Sequence, residues 1–257
     1  MKKSIAISLS LMLFATIVAP VSASPKNIKS EVIYQKQEVK DLNLLYDKAQ
    51  KGITEIDQKH FAKNAEIQNQ TTGLTYKAKT FATTQLIKKE KMANGEVVES
   101  YATTSFAVIP ELNADLSDTA SQASTLAPSN YDGWKYGQTW DSTSSCKAYA
   151  TIYWAFVYNG TQKHVKLLSV DGGWTLSGVT IASDYVNMGQ TGLSSWTGYA
   201  EQVTTFYPSG LTYSYSAPGS WVPVWADGVS IVGSSAYTTV RSRSGSTWSF
   251  WNTVNVY

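Results

Sequence analysis

The chain has one cysteine, two histidines and no tryptophan in its first 133 residues. Each shortage excludes something. A lone Cys146 rules out an intramolecular disulfide, so stability has to come from packing. His60 and His164 lie too far apart for a zinc spacing, and there is no HExxH, no calcium loop of DxDxDG type and no GxSxG elbow. The sequence therefore assigns no catalytic residue, no metal and no cofactor. A thiol nucleophile at Cys146 would need a histidine base, with His164 the candidate, and the plainer expectation for Cys146 is a small apolar residue in a strand.

Charge excess is missing as well. The chain holds 21 Lys and Arg against 19 Asp and Glu, and without Lys2 and Lys3 the two signs balance at 19 each. That balance gives no electrostatic reason to expect nucleic acid or an anionic membrane as partner. The one local cluster, Lys88, Lys89 and Lys91 around Glu90, reads as a solvated hairpin end.

Long apolar runs stop early. Residues 1–23, MKKSIAISLSLMLFATIVAPVSA, carry two lysines, an apolar core from Ile5 to Val18 and a small-residue ending at Val21-Ser22-Ala23. This pattern predicts a signal peptide cut before Ser24, since its core is shorter than the ~20 residues a spanning helix needs. No cysteine follows for a lipid anchor and no later run is long enough to span a membrane, so the expected location is extracellular or loosely cell-surface associated.

What is present comes in two parts. Residues 24–130 should form a short helix, a long β-hairpin and a linker. Apolar residues at Val32, Val39, Leu42, Leu45 and Tyr46 fit a thin helical face, with Gly52 as its stop. Asn94-Gly95 then sits between two β-rich arms, the strongest short hairpin signal. A two-residue loop would pair Ala93 with Glu96, Met92 with Val97, Ile87 with Ala102 and Phe81 with Val108. Residues 111–130 are Ser, Ala, Asp and Thr rich and read as a linker, which puts the boundary near Asn130.

Residues 131–257 hold all nine tryptophans, twelve tyrosines and three phenylalanines but only six basic and six acidic residues. Short alternating stretches predict a mainly β protein whose C-terminal part is an antiparallel β-sandwich or jelly-roll-like domain of seven to nine strands. Asn159-Gly160, Asp171-Gly172-Gly173, Asn187-Met188-Gly189, Pro218-Gly219 and Ser244-Gly245 are the candidate turns. Alternation places Ile152, Trp154 and Phe156 on a core face and Tyr149, Thr151, Tyr153 and Val157 on the opposite one, with Trp248 and Phe250 facing away from Trp251.

So many aromatics in a small domain leave a surplus that points outward. Rings on a rigid β surface stack on sugar faces, and low charge suits a neutral cell-wall or environmental polysaccharide. The ligand-binding candidates are Trp174, Trp196, Trp221 and Trp225, which lie near Gly, Pro and Ser, together with Tyr199. Tryptophans plugging the ends of a sandwich core are the competing expectation. Two further functions stay open. One is association with another extracellular or envelope protein, with the N-terminal hairpin as an edge for strand addition. The other is a glycoside hydrolase whose carboxylate pair comes from Asp132, Asp141, Asp171, Asp184, Glu201 and Asp227, with Asp184 and Glu201 in the most ordered settings. A membrane-inserting factor is disfavoured by the charges at the hairpin end. The leader and the tandem of polar segment, hairpin and Trp-rich β module resemble secreted proteins of Gram-positive bacteria. That resemblance implies an extracellular role and transfers no site residue.

Overall fold

A computed structural model describes residues 30–57, 61–109, 146–243 and 245–257. The expected signal peptide, His60, the linker with its boundary near Asn130, Trp134, Trp140, Asp132 and Asp141 lie outside the described residues. The described residues are mostly β, with one short helix and two antiparallel sheets packed face to face like a sandwich.

Sheet A runs in the order β1 (Glu31–Gln35), β4 (Lys79–Lys91), β5 (Val97–Ile109), β6 (Cys146–Asn159), β7 (Gln162–Leu176) and β10 (Thr212–Ser216), with β11 (Val224–Trp225) also on β7. Sheet B runs β3 (Thr75–Lys77), β2 (Phe61–Asn69), β13 (Thr247–Val256), β12 (Ile231–Ser242), β8 (Val179–Ser194) and β9 (Gly198–Phe206). The hairpin β4–β5 therefore joins the larger sheet, because β5 pairs with β6. Likewise β2 pairs with β13, so strands from both sides of residues 110–145 enter both sheets.

The core lies between the sheets. Ile152, Trp154 and Phe156 of β6 point into it, as their alternation predicts, and meet Val186, Met188, Phe250 and Val254 of sheet B. Trp154 stacks on Tyr101 at 4.6 Å, and its indole N–H donates to Thr103 Oγ1 at 2.9 Å, so the large ring is buried with its polar atom satisfied. Gln190, fully buried in β8, joins the sheets at one edge. Its side-chain oxygen accepts from Leu167 N of β7 at 2.8 Å, and its amide donates to the Val222 carbonyl.

The helix α1 (Leu42–Gln50) makes a third layer on the outer face of sheet A. Asp41 caps it by accepting from Asn43 N and Leu44 N. Gly52, at φ 67°, ends it as expected: Gly52 N donates to Ala49 O and Ile53 N to Lys48 O, the two bonds of a Schellman motif. Its face of Leu45, Tyr46 and Ala49 packs on Phe106, Phe81 and Tyr149. Val32 does not belong to a helix. The β-branched pair Val32-Ile33 and the ring of Tyr34 favour extension, and β1 pairs with the outer edge of β4. Residues 54–55 continue along that edge, where Glu55 N donates to Thr84 O and Leu86 N to the Glu55 carboxylate.

Two features of the expected local structure need correction. The hairpin loop has three residues, since Met92 O accepts from Gly95 N and Met92 N donates to Glu96 O, with Gly95 at φ 87°. Lys91 thus pairs with Val97, and a bulge at Ile87 shifts the register again, so that Gln85 faces Ala102 and Phe81 faces Phe106. The second correction concerns glycine. Asp171-Gly172-Gly173 and Asn187-Met188-Gly189 lie inside β7 and β8, where close neighbours, and not chain reversal, require a missing side chain. A Cβ at Gly172 would stand 2.3 Å from the Tyr213 ring.

Candidate functional site

Alternation gives every strand of sheet B an inner and an outer face. Helix α1 packs on β4 and β5 of sheet A; no described element packs on the outer face of sheet B. On that outer face, Gly189 of β8 pairs directly with Gly233 of β12, with Val203 of β9 on one side and Asn255 of β13 on the other. Two adjacent glycines leave a depression, a shallow trough of about 230 Å³. Gly233 cannot be replaced cheaply, because a Cβ there would lie 2.2 Å from the Val254 carbonyl oxygen.

The rows beside the trough differ in chemistry. One row along the strands stand Thr205, Asn187, Ser235 and Thr253. The Thr205 hydroxyl donates to Asn187 Oδ1 at 2.7 Å, and Ser235 shares a 2.9 Å bond with Thr253. The Asn187 Nδ2 group and the Asn255 amide make no hydrogen bond to another described residue. One row further, Tyr185, Tyr237 and Trp251 line up across three strands, with Tyr185 stacked on Tyr237 at 4.8 Å and Trp251 at 5.1 Å from Tyr237. Tyr237 is held in place by hydroxyl bonds to Thr239 and Ser249. In the other direction come Glu201, Thr191 and Ile231, then Tyr199 opposite Leu193. From Leu193 to Tyr185 this face runs about 27 Å at ~3.4 Å per residue.

Two of the five expected binding residues lie elsewhere. Trp174 and Trp221 are 4% and 8% exposed, so both belong to the core. The physical reason is that Trp174 sits within β7 opposite Ala148, its ring against Tyr213, and is no turn residue. Tyr199 and Trp196 are 58% and 47% exposed, at and beside the β8–β9 turn. The half-buried Trp225 reaches the same turn, donating from its indole to Ser195 Oγ at 3.2 Å. Ser195 Oγ also lies 2.9 Å from His164 Nε2, and Trp196 packs edge-on to the His164 ring at 4.7 Å. Trp196 and Trp225 thus gather with His164 and Ser195 at the β8–β9 turn, on the side of β7 that Val157 shares, and Tyr199 alone of the three stands on the outer face of sheet B.

Comparison with known protein families, curated proteins and solved structures gives no match. The site has to be read from its own chemistry.

Among the described residues, the acids named from the sequence do not converge on one another. Asp184 and Glu201 point to opposite faces of sheet B, and Asp227 closes a turn by accepting from Val229 N and Ser230 N. Asp171 does lie near a carboxylate, Glu38: the Tyr153 hydroxyl donates to Glu38 at 2.7 Å with Asp171 close enough to act on it electrostatically. Burial first, then these two acids, push the Tyr153 hydroxyl far above its ordinary pKa, so it stays protonated and keeps donating to Glu38. Cys146 is fully buried at the end of β6 remote from His164, and burial raises its thiol to about 12. Among the described residues no three His, Cys, Asp or Glu side chains gather as metal ligands. No described helix is long and apolar enough to cross a membrane.

Proposed function

We propose that this protein is a secreted binding module for a neutral polysaccharide, taken up along the outer face of sheet B. The observation that carries this reading is the uncharged glycine-floored trough, whose Asn187 Nδ2 and Asn255 amide bond no other described residue, set between the Tyr185-Tyr237-Trp251 row and Tyr199. A sugar ring offers an apolar face for stacking and a rim of hydroxyls for hydrogen bonding, and this surface offers both partners in alternate rows. The residues assigned to binding are Trp251, Tyr237, Asn187 and Asn255, with Tyr199 at the far end of the face and Trp196 and Trp225 around the β8–β9 turn; Trp174 and Trp221 are not among them. Secretion follows from the leader, and extracellular glycan is the ligand such a location supplies.

Retention of the chain from residue 24 on insoluble cell-wall glycan, chitin and cellulose tests the reading. Saturable retention on at least one is expected, and Trp251→Ala should weaken it tenfold or more, about 1.4 kcal/mol, while keeping a cooperative melt. Trp221→Ala should instead cost about 3–5 kcal/mol of stability through a core cavity. Retention on none of them overturns the reading. The outcome favouring protein association is then self-pairing through β9, since the β4–β5 hairpin expected to offer an edge is flanked on both sides by β1 and β6.

A further inference from the structure

Resting on the glycan reading, we propose that the trough selects chains of N-acetylated hexosamine over plain hexose chains. The walls of the trough are chemically asymmetric. Val203 and Ile231 stand 59% and 56% exposed on two sides of the paired glycines, on β9 and β12 with β8 between them, and both line the trough with bare aliphatic surface. Asn187, Ser235 and Asn255 stand on the remaining sides. A hydroxyl group entering the trough would satisfy the asparagines and leave the aliphatic wall wet. An acetamido group matches both. Its methyl covers Val203 and Ile231, its carbonyl accepts from the free Asn187 Nδ2, and its N–H donates to the Asn255 side-chain oxygen.

The glycine floor makes this possible, because any larger residue at Gly189 or Gly233 would fill the space the acetamido group needs. At Gly189 an added Cβ would already touch Val203 Cγ2 at 3.1 Å. Charge narrows the ligand further. None of the residues lining the trough is charged, and the exposed Glu201 beside Val203 on the same face repels an anionic sugar. An uncharged N-acetylhexosamine polymer is therefore the expected ligand, in preference to a uronic acid chain.

Specificity here is a ratio of affinities, so the test is comparative. The chain from residue 24 is titrated calorimetrically at physiological salt with penta-N-acetylchitopentaose, its fully deacetylated counterpart and cellopentaose. The acetylated oligomer should bind about tenfold or more tightly than either, the scale on which a pocket discriminates one small apolar group. Val203→Ser and Asn255→Ala should each narrow that ratio with the melting temperature nearly unchanged, since Val203 is exposed and Asn255 lies on the outer face. Equal binding of cellopentaose overturns the selectivity and leaves the glycan reading standing. Tightest binding of the deacetylated amine chain also overturns it, by assigning recognition to Glu201. Binding of none of the three, together with no retention on insoluble glycan, overturns both.

Discussion

His164 is fully buried, and its bonding fixes the tautomer of its neutral ring. A backbone carbonyl only accepts, so Nδ1, 3.1 Å from Gln162 O, carries the proton, and Nε2 receives the Ser195 hydroxyl. Burial lowers its pKa below the ordinary 6.5, against the opposing pull of the Gln162 and Val157 carbonyls. The folded state thus binds this proton less readily than the unfolded chain. Its contribution to stability is complete above about pH 6.5 and is lost as pH falls through that value toward the lowered one. Melting temperatures measured from pH 8 to pH 5 should decline on the acid side, and His164→Gln should flatten the decline. A second loss belongs below about pH 4.5, where Glu55, Glu90 and Glu99, held low by lysine partners, take up protons. An unchanged slope in the glutamine variant would assign the first loss to other groups. The loosening would fall at the Ser195 turn, where Trp196 and Trp225 reside, so their fluorescence should report it.

At the scale of elements, the glycines inside strands set the packing. Gly172 lies under the Tyr213 ring where β10 pairs with β7, and Tyr149 O is 2.7 Å from its missing Cβ. Gly172→Ala should cost about 1–3 kcal/mol by overpacking. Tyr213→Leu, measured by denaturant unfolding, should recover part of that loss in the double variant, a coupling that independent effects would not give. These same glycines explain what the sequence concealed. Alternation was legible wherever side chains were present, so β6 and β13 took their expected faces. Inside β7 and β8, Asp-Gly-Gly and Asn-Met-Gly look locally like turns, and only the pairing of Tyr213 over Gly172, or of Gly189 beside Gly233, shows them to be strand interiors. The same loss hid the trough and the Tyr185-Tyr237-Trp251 row, since a surface made by register across three strands has no signature along any one of them. Trp196 and Tyr199, at and beside a turn, are exposed, whereas Trp174, which follows Gly172-Gly173 inside β7, and Trp221 are buried, a difference that the neighbouring Gly, Pro and Ser do not show.

For the whole molecule, the decisive contacts cross residues 110–145. The long β5 lies against β6 from Glu99 to Ile109, and β2 lies against β13 from Phe61 to Asn69. Take away residues 24–109 and sheet A loses β1, β4 and β5 while sheet B loses β2 and β3. The Trp154 indole then loses Thr103 and the Tyr101 ring, and the freed edges of β6 and β13 carry rows of unpaired amides. A composition boundary near Asn130 separates two kinds of sequence, but backbone pairing joins them, because half a sheet buries too little apolar surface to fold alone. The fragment 131–257 expressed by itself should therefore show no cooperative melt. Cutting the folded chain at a protease site engineered into residues 111–130 should leave two pieces that elute together and unfold in a single transition. Mixing separately made fragments should restore that transition, with a midpoint that rises with their concentration, as mass action requires of a two-part fold. A sharp melt of 131–257 alone, at the temperature of the whole chain, would mean that the interface between the two segments adds nothing to stability.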